Sequence, residues 1–303
     1  MSQPPNSIKT HTLSEAESLL TRLNDAIIGH AKWLTEWNTN IICETPIADK
    51  YISEDSHRDC YFGQWYYRER ANYLHQKSEF AAIEELHRTI HNKMSALAKK
   101  INRGGSITRT EYESFIDSEV SFSESVINLR DELYKFLLSF DNLTGVLNRQ
   151  AFIHILEQEY ARVIRFDEPC CVVLMDIDNF KNINDEFGHA AGDKALISIA
   201  SFIIANLRPY DSICRYGGEE FLICMPKTSL EMAHTIIERI RKEMSQKKIC
   251  VLEDNCIKIP ASFGIAPMSA EEELKNTIEH ADKALYRAKA NGRNKVEVWA
   301  ENT

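Results

Sequence analysis

Long hydrophobic runs are missing: nowhere in its 303 residues does the chain approach the ~18 uninterrupted apolar positions that a membrane helix needs. Its opening, MSQPPNSIKT, has no apolar signal core, so a cytoplasmic location without a membrane partner is the expectation. Positive charge is also short. Against 45 Asp and Glu stand 36 Lys and Arg, a formal net charge of -9. That balance argues against a sequence-independent grip on nucleic acid, which is mostly phosphate neutralisation. An acidic protein that handles phosphates generally does so through a metal. Eight cysteines lack the spacing of a disulfide framework and several sit inside apolar runs, so most read as reduced core residues. No period of 20 to 50 residues recurs, which excludes a repeat architecture.

What is there falls into two grammars. From about residue 12 to 140, LSEAESLLTRLNDAIIGHAKWLTEW, HQKSEFAAIEELHRTIHNKMSALAKKI and RTEYESFIDSEVSFSESVINLRDELYKFLLSF carry apolar residues at three and four spacing. With a short helix after Cys60 they predict an all-α four-helix bundle, and Ser14 and Glu17 fit a capping box at its start. Beyond residue 140 short apolar strands alternate with amphipathic helices, predicting an α/β domain. The expected division is 1–140, including a stiff connector helix, and 141–303.

In the second half the strand CVVLM is apolar at every position and ends in Asp176, Ile177 and Asp178, where α/β proteins place ligand-binding groups. A structural reading, a helix cap after the strand, competes. The hairpin CRYGGEEFLIC offers Gly217 and Gly218 for a tight two-residue turn at positive φ, with Glu219 and Glu220 on one arm. If that arm pairs with the strand ending at Asp176, three carboxylates converge, and divalent cations would relieve their repulsion. Glu219 and Glu220, as successive strand residues, would point to opposite faces.

The segments DNLTGVLNR (141–149), DIDNFKNINDEFGHAAGD (176–193), RYGGEEF (215–221) and ADKALYRAKANGRN (281–294) together resemble the GGDEF domain of diguanylate cyclases, over about residues 141 to 299. The resemblance implies a palm-like α/β (α+β) fold with a central sheet containing antiparallel strands. It implies condensation of two GTP into cyclic di-GMP with release of two pyrophosphates, by a homodimer whose two domains face one another. Two Mg²⁺ per site would be held by Asp176, the Ile177 carbonyl and Glu219; Glu219 would also accept the proton, with Glu220 beside it. Asn184 and Asp193 match the guanine contacts, and His189 lies between them. Lys181, Lys289 and Arg293 match the triphosphate contacts. Arg208 and Asp211, in RPYD, match the Arg-x-x-Asp site through which product inhibits turnover.

In the first half His87 and His91 stand four apart, on one helical face suited to a tetrahedral metal. With His30 and Cys60 of CYFGQW they resemble the chemoreceptor zinc-binding domain over about residues 20 to 100, which implies one Zn²⁺ held by His30, Cys60, His87 and His91. His57, His75 and Cys43 lie close enough in sequence to compete as ligands. The whole reads as a zinc-regulated cyclase. The alternative is a catalytically silent cyclic di-GMP receptor whose helical half senses metal or binds a partner.

Overall fold

The structure, a computed structural model, describes residues 10–43, 45–69, 78–252 and 255–300. It divides into two compact units, His11–Leu137 and the chain from Leu138 onward.

The first unit is helical. Three long helices, α1 (Thr10–Ile42), α4 (Ser78–Asn102) and α5 (Arg109–Leu137), are joined by the short α2 (Ser56–Asp59) and α3 (Tyr61–Glu69). Their apolar stripes close on one core in which Leu23, Trp37, Phe80, Ile83, Ile90, Met94 and Phe115 are fully buried. The capping box expected at Ser14 and Glu17 is absent, because α1 already runs through Thr10–Leu13. A Ser-x-x-Glu tetrad caps only where the chain before it is not helical, and THTL holds no breaker. The box occurs instead at α5: the Thr108 N–H donates to Glu111 Oε2 (2.8 Å) and the Glu111 N–H to Thr108 Oγ1 (3.3 Å).

The second unit is a six-stranded mixed sheet in the order β1-β3-β4-β2-β7-β8, built from β1 (Leu147–Asn148), β2 (Cys170–Ile177), β3 (Ser212–Arg215), β4 (Glu220–Pro226), β7 (Ala261–Pro267) and β8 (Val296–Val298). Antiparallel pairing joins β2 to β4 and β7, and β3 to β4, whereas β1–β3 and β7–β8 are parallel. The helices are α6 (Arg149–Phe166), α7 (Phe180–Phe187), α8 (His189–Asn206), α9 (Leu230–Gln246) and α10 (Leu274–Ala290). Every residue of β2 is buried, as its unbroken apolar run requires. Alternation sends Cys171, Val173, Met175 and Ile177 into the core shared with α8 and α9. The opposite face meets α10, whose backbone lies so close to Gly264 that a Cβ there would stand 2.1 Å from the Ala281 carbonyl oxygen.

Outside this sheet, β5 (Lys248–Cys250) and β6 (Cys256–Lys258) form a separate hairpin. Cys250 and Cys256 are register partners there and are disulfide-bonded, unlike the reduced core expected for most cysteines. Cys60, Cys170, Cys171, Cys214 and Cys224 are free and buried, and Cys43 is free and exposed. No helix among the described residues is long and apolar enough to cross a membrane.

Candidate active site and metal centre

The end of β2 nearest α10 gathers the charged groups. In the β2–β4 ladder Asp176 is the register partner of Glu220, so both leave the same face of the sheet. The hairpin turn differs from expectation. Arg215 pairs with Phe221, and the Tyr216 N–H donates to the Glu220 carbonyl (2.8 Å), leaving Gly217, Gly218 and Glu219 as a three-residue loop. Among the described residues neither glycine has a left-handed φ, because the longer loop does not need the primed two-residue turn. Glu219 therefore sits in the turn, and strand alternation does not oppose it to Glu220. Its carbonyl accepts from the Ile177 N–H (3.3 Å), tying the loop to the end of β2.

Burial raises Asp176, Glu219 and Glu220 above the ordinary carboxylate range, and Asp176 pushes both glutamates up further. Lys289 opposes this at all three, with Nζ 2.8 Å from Asp176 Oδ2. Three carboxylates crowded at one strand end suit divalent cations. A cleft of about 400 Å³, lined by Glu220, Asp282, Tyr286 and Lys289 among others, opens beside them. The two glycines differ. A Cβ on Gly217 would stand 2.5 Å from Glu220 Oε2, whereas one on Gly218 would meet nothing within 4 Å.

The residues expected to contact nucleotide lie on α7 and at the start of α8. Asn184 on α7 lies against α8, where a Cβ on Gly192 would come within 2.0 Å of its Oδ1, and Asp193 follows Gly192 directly. Gly188, at φ 83°, makes the corner between the two helices. Lys181, His189 and Asp193 are exposed and Asn184 is half-buried. Arg293 stands in the loop after α10, on left-handed backbone with φ 60°. Arg208 and Asp211 form a turn: the Arg208 N–H donates to Asp211 Oδ2 (2.9 Å) and the Asp211 N–H to the Arg208 carbonyl (3.0 Å). Sequence reasoning missed Asp178 as a hub. Its Oδ1 accepts from Ser262 Oγ and its Oδ2 from the Asn294 N–H, both at 2.8 Å.

In the helical unit the structure brings His30, Cys60, His87 and His91 together, all buried, with one ligand atom from each within 4.8 Å of the others. His57 and Cys43 are not in this group among the described residues, and His75 lies outside them. The donor set fits a tetrahedral Zn²⁺. His30 Nε2 and His91 Nε2 are buried without a hydrogen-bond partner, which is costly unless something binds them. Cys60 Sγ is 3.2 Å from His87 Nε2 and accepts from the Gly63 N–H at 3.2 Å. Burial lowers all three imidazoles, His30 to about 4, so they are neutral and able to ligate, and pushes the Cys60 thiol up to about 12. Beside the cluster, Ser56 Oγ lies 3.2 Å from His91 Nδ1, a contact that orients the imidazole ring. Helix α5 supplies none of the four, but its Phe122 ring packs on His30 (5.0 Å) and His87 (5.1 Å).

Comparison with known proteins agrees with both halves. Residues 138–295 match the model of the diguanylate cyclase GGDEF domain, and residues 30–98 that of the chemoreceptor zinc-binding domain. The diguanylate cyclase DgcP of Pseudomonas aeruginosa is 42% identical over 56% of this chain and 25% of its own length. DgcZ of Escherichia coli, also a diguanylate cyclase, is 28% identical over 93% of this chain and 94% of its own. The chain thus spans a quarter of DgcP and just over half of several other curated relatives. The coiled coil and GGDEF domain of DgcB from Caulobacter crescentus, solved with c-di-GMP, is 31% identical, with a TM-score of 0.55 over 60% of this chain and 98% of that one. The chain belongs to the GGDEF family of diguanylate cyclase domains.

Proposed function

We propose that the protein is a Mg²⁺-dependent diguanylate cyclase that works as a homodimer under the control of zinc in its helical unit. The register of Asp176 against Glu220, with Lys289 on Asp176 and Glu219 in the adjoining turn, carries the reading. A receptor has no need to crowd three carboxylates beside a phosphate-binding lysine.

Mg²⁺ held by Asp176, the Ile177 carbonyl and Glu219 would neutralise charge gathering on the α-phosphate and on the leaving pyrophosphate. Asn184 and Asp193 hold guanine: a carboxylate accepts from its N1–H and amino group, and an amide reads its remaining edge. Lys181, Lys289 and Arg293 hold the triphosphate. Glu219 takes the proton from a 3′-hydroxyl as that oxygen bonds to the α-phosphorus of the other GTP and the bond to pyrophosphate breaks. A second, symmetry-related step closes the ring, so two domains are required. Arg208 and Asp211 bind product and slow turnover.

Zinc occupancy of His30, Cys60, His87 and His91 biases the packing of the bundle, and α5, which ends one residue before the cyclase unit, carries the bias onward. The test of the enzyme is purified protein with GTP and Mg²⁺, product identified by mass, beside Asp176→Asn. Cyclic dinucleotide from the wild type alone is expected; none from a confirmed dimer overturns the reading. Turnover unchanged by stoichiometric zinc and by its chelation would overturn the regulatory part.

A further inference from the structure

The loop that carries Arg293 leaves α10 through a helix C-cap: the Gly292 N–H donates to the Lys289 carbonyl (3.4 Å) and the Arg293 N–H to the Ala288 carbonyl (3.1 Å). Gly292, Arg293 and Asn294 have φ of 105°, 60° and 47°, three successive residues on the side of φ space that side chains avoid. Two of the three are not glycine, and such conformations persist only where surrounding contacts over-determine them. The contacts here are specific. The Asn294 N–H donates to Asp178 Oδ2 (2.8 Å), and Arg241 Nη1 donates to the Asn294 carbonyl (3.1 Å) and to its Oδ1 (2.9 Å). Asp178 is itself fixed. Its other oxygen accepts from Ser262 Oγ on β7 (2.8 Å), its N–H donates to the Pro260 carbonyl (3.0 Å), and it is buried.

We infer that Asp178 is a positioning residue for the triphosphate: it ties the Asn294 end of the capped loop to the strand end that bears Asp176 and Ile177, and so sets where the Arg293 guanidinium points. The inference rests on the proposed role of Arg293 as a triphosphate contact. Asp178 sits two residues beyond Asp176 in the chain, so only Ile177 separates the carboxylate cluster from the brace of the phosphate loop. Both oxygens of Asp178 are engaged by protein donors, so its part is to hold backbone rather than to meet substrate. The lock is a matter of geometry. An asparagine can reproduce it, its carbonyl accepting from the Asn294 N–H and its amide donating to Ser262 Oγ. Alanine cannot.

The test is calorimetric binding of a non-hydrolysable GTP analogue and, separately, of GMP to the full chain with Mg²⁺. Asp178→Ala is expected to weaken the analogue about tenfold, the scale of one charge-assisted hydrogen bond, and as much as Arg293→Ala does. The double variant should be no weaker than Arg293→Ala alone, because both changes remove the same contact. GMP should bind all of them alike, and Asp178→Asn should stay within about twofold of wild type, since it keeps both hydrogen bonds. Asp178→Ser, polar but too short to reach Asn294, runs beside the alanine variant in case the latter does not fold. Wild-type affinity in Asp178→Ala or Asp178→Ser alongside a weakened Arg293→Ala overturns the inference and spares the triphosphate reading. Equal damage from Asp178→Asn and Asp178→Ala also overturns it, by making charge the cause. Full affinity in Arg293→Ala is a different pattern: it removes the triphosphate reading and the inference with it.

Discussion

Lys289 Nζ lies 2.8 Å from Asp176 Oδ2, so α10 delivers a cation onto the carboxylate at the end of the central strand. Replacing it by methionine keeps the aliphatic stem and leaves a mostly buried carboxylate beside two others. Melting without divalent cation should show a loss of about 1–3 kcal/mol, and Mg²⁺ should restore more stability to the variant than to wild type. GTP turnover, followed by pyrophosphate release, should drop about 100-fold. An unchanged melt would mean that the pair contributes nothing.

The two loop glycines should separate under substitution. Gly217→Ala drives a methyl group into Glu220 Oε2, which must rotate away from its place opposite Asp176. Turnover is expected to fall about tenfold or more while stability changes by less than about 1 kcal/mol. Gly218→Ala meets no protein atom and should leave the melt unmoved, while raising the KM for GTP because the methyl enters the space proposed for nucleotide. Equal KM values for Gly218→Ala and wild type would remove the nucleotide from that side of the turn.

Metal removal should unfold the helical unit first. Zinc at a hundredfold excess over its dissociation constant adds about 2.7 kcal/mol to whatever it binds only when folded. One zinc per chain is expected by elemental analysis, with an early melting transition appearing on chelation. Alanine at His30, Cys60, His87 or His91 should abolish the zinc-dependent shift, and alanine at His57 should not. Retention of the shift in the His87 variant would move the site.

A pH effect is expected at the start of α5. The Lys100 ammonium, with the Thr108 N–H and hydroxyl, holds the Glu111 carboxyl down at about 2. A folded value below the ordinary 4.5 stabilises above that pH, and the contribution is lost as pH falls toward the folded value. Glu111→Gln should therefore melt below wild type at pH 7, the gap closing as pH is lowered from about 4.5 to 2. A gap that stays constant over that range would show that the carboxylate's charge is not what supports the helix.

Local pattern carried much of this molecule. The unbroken apolar run of β2 implies a covered central strand, and the four-residue spacing of His87 and His91 puts two imidazoles on one face of a helix whatever packs against it. What the pattern lacked was register between strands more than 40 residues apart. That Asp176 faces Glu220 follows from how β2 and β4 pair along their whole length, which no window of sequence contains. The loop Gly217–Glu219 differs from its sequence pattern for the same reason: two glycines suggest a two-residue turn, but the pairing of Arg215 with Phe221 decides its length. Strands of two or three residues, such as β1 and β8, are too short for a period of two to show. In sequence Asp178 reads as a strand-end ligand position or a helix cap, because the donor it holds lies 116 residues away.

Phe122 reaches the His/Cys cluster, the proposed zinc ligands, from a helix that contributes none of them. In the proposed sensor, threshold and gain therefore belong to different atoms. The concentration at which the site fills depends on the nitrogens and sulfur of α1, α4 and the α2–α3 junction. How strongly filling is felt on α5 depends on the fit of the Phe122 ring and of the seam along which α5 packs on α4. Selection can retune either without disturbing the other, so relatives with the same four ligands need not answer zinc with the same amplitude, or in the same direction.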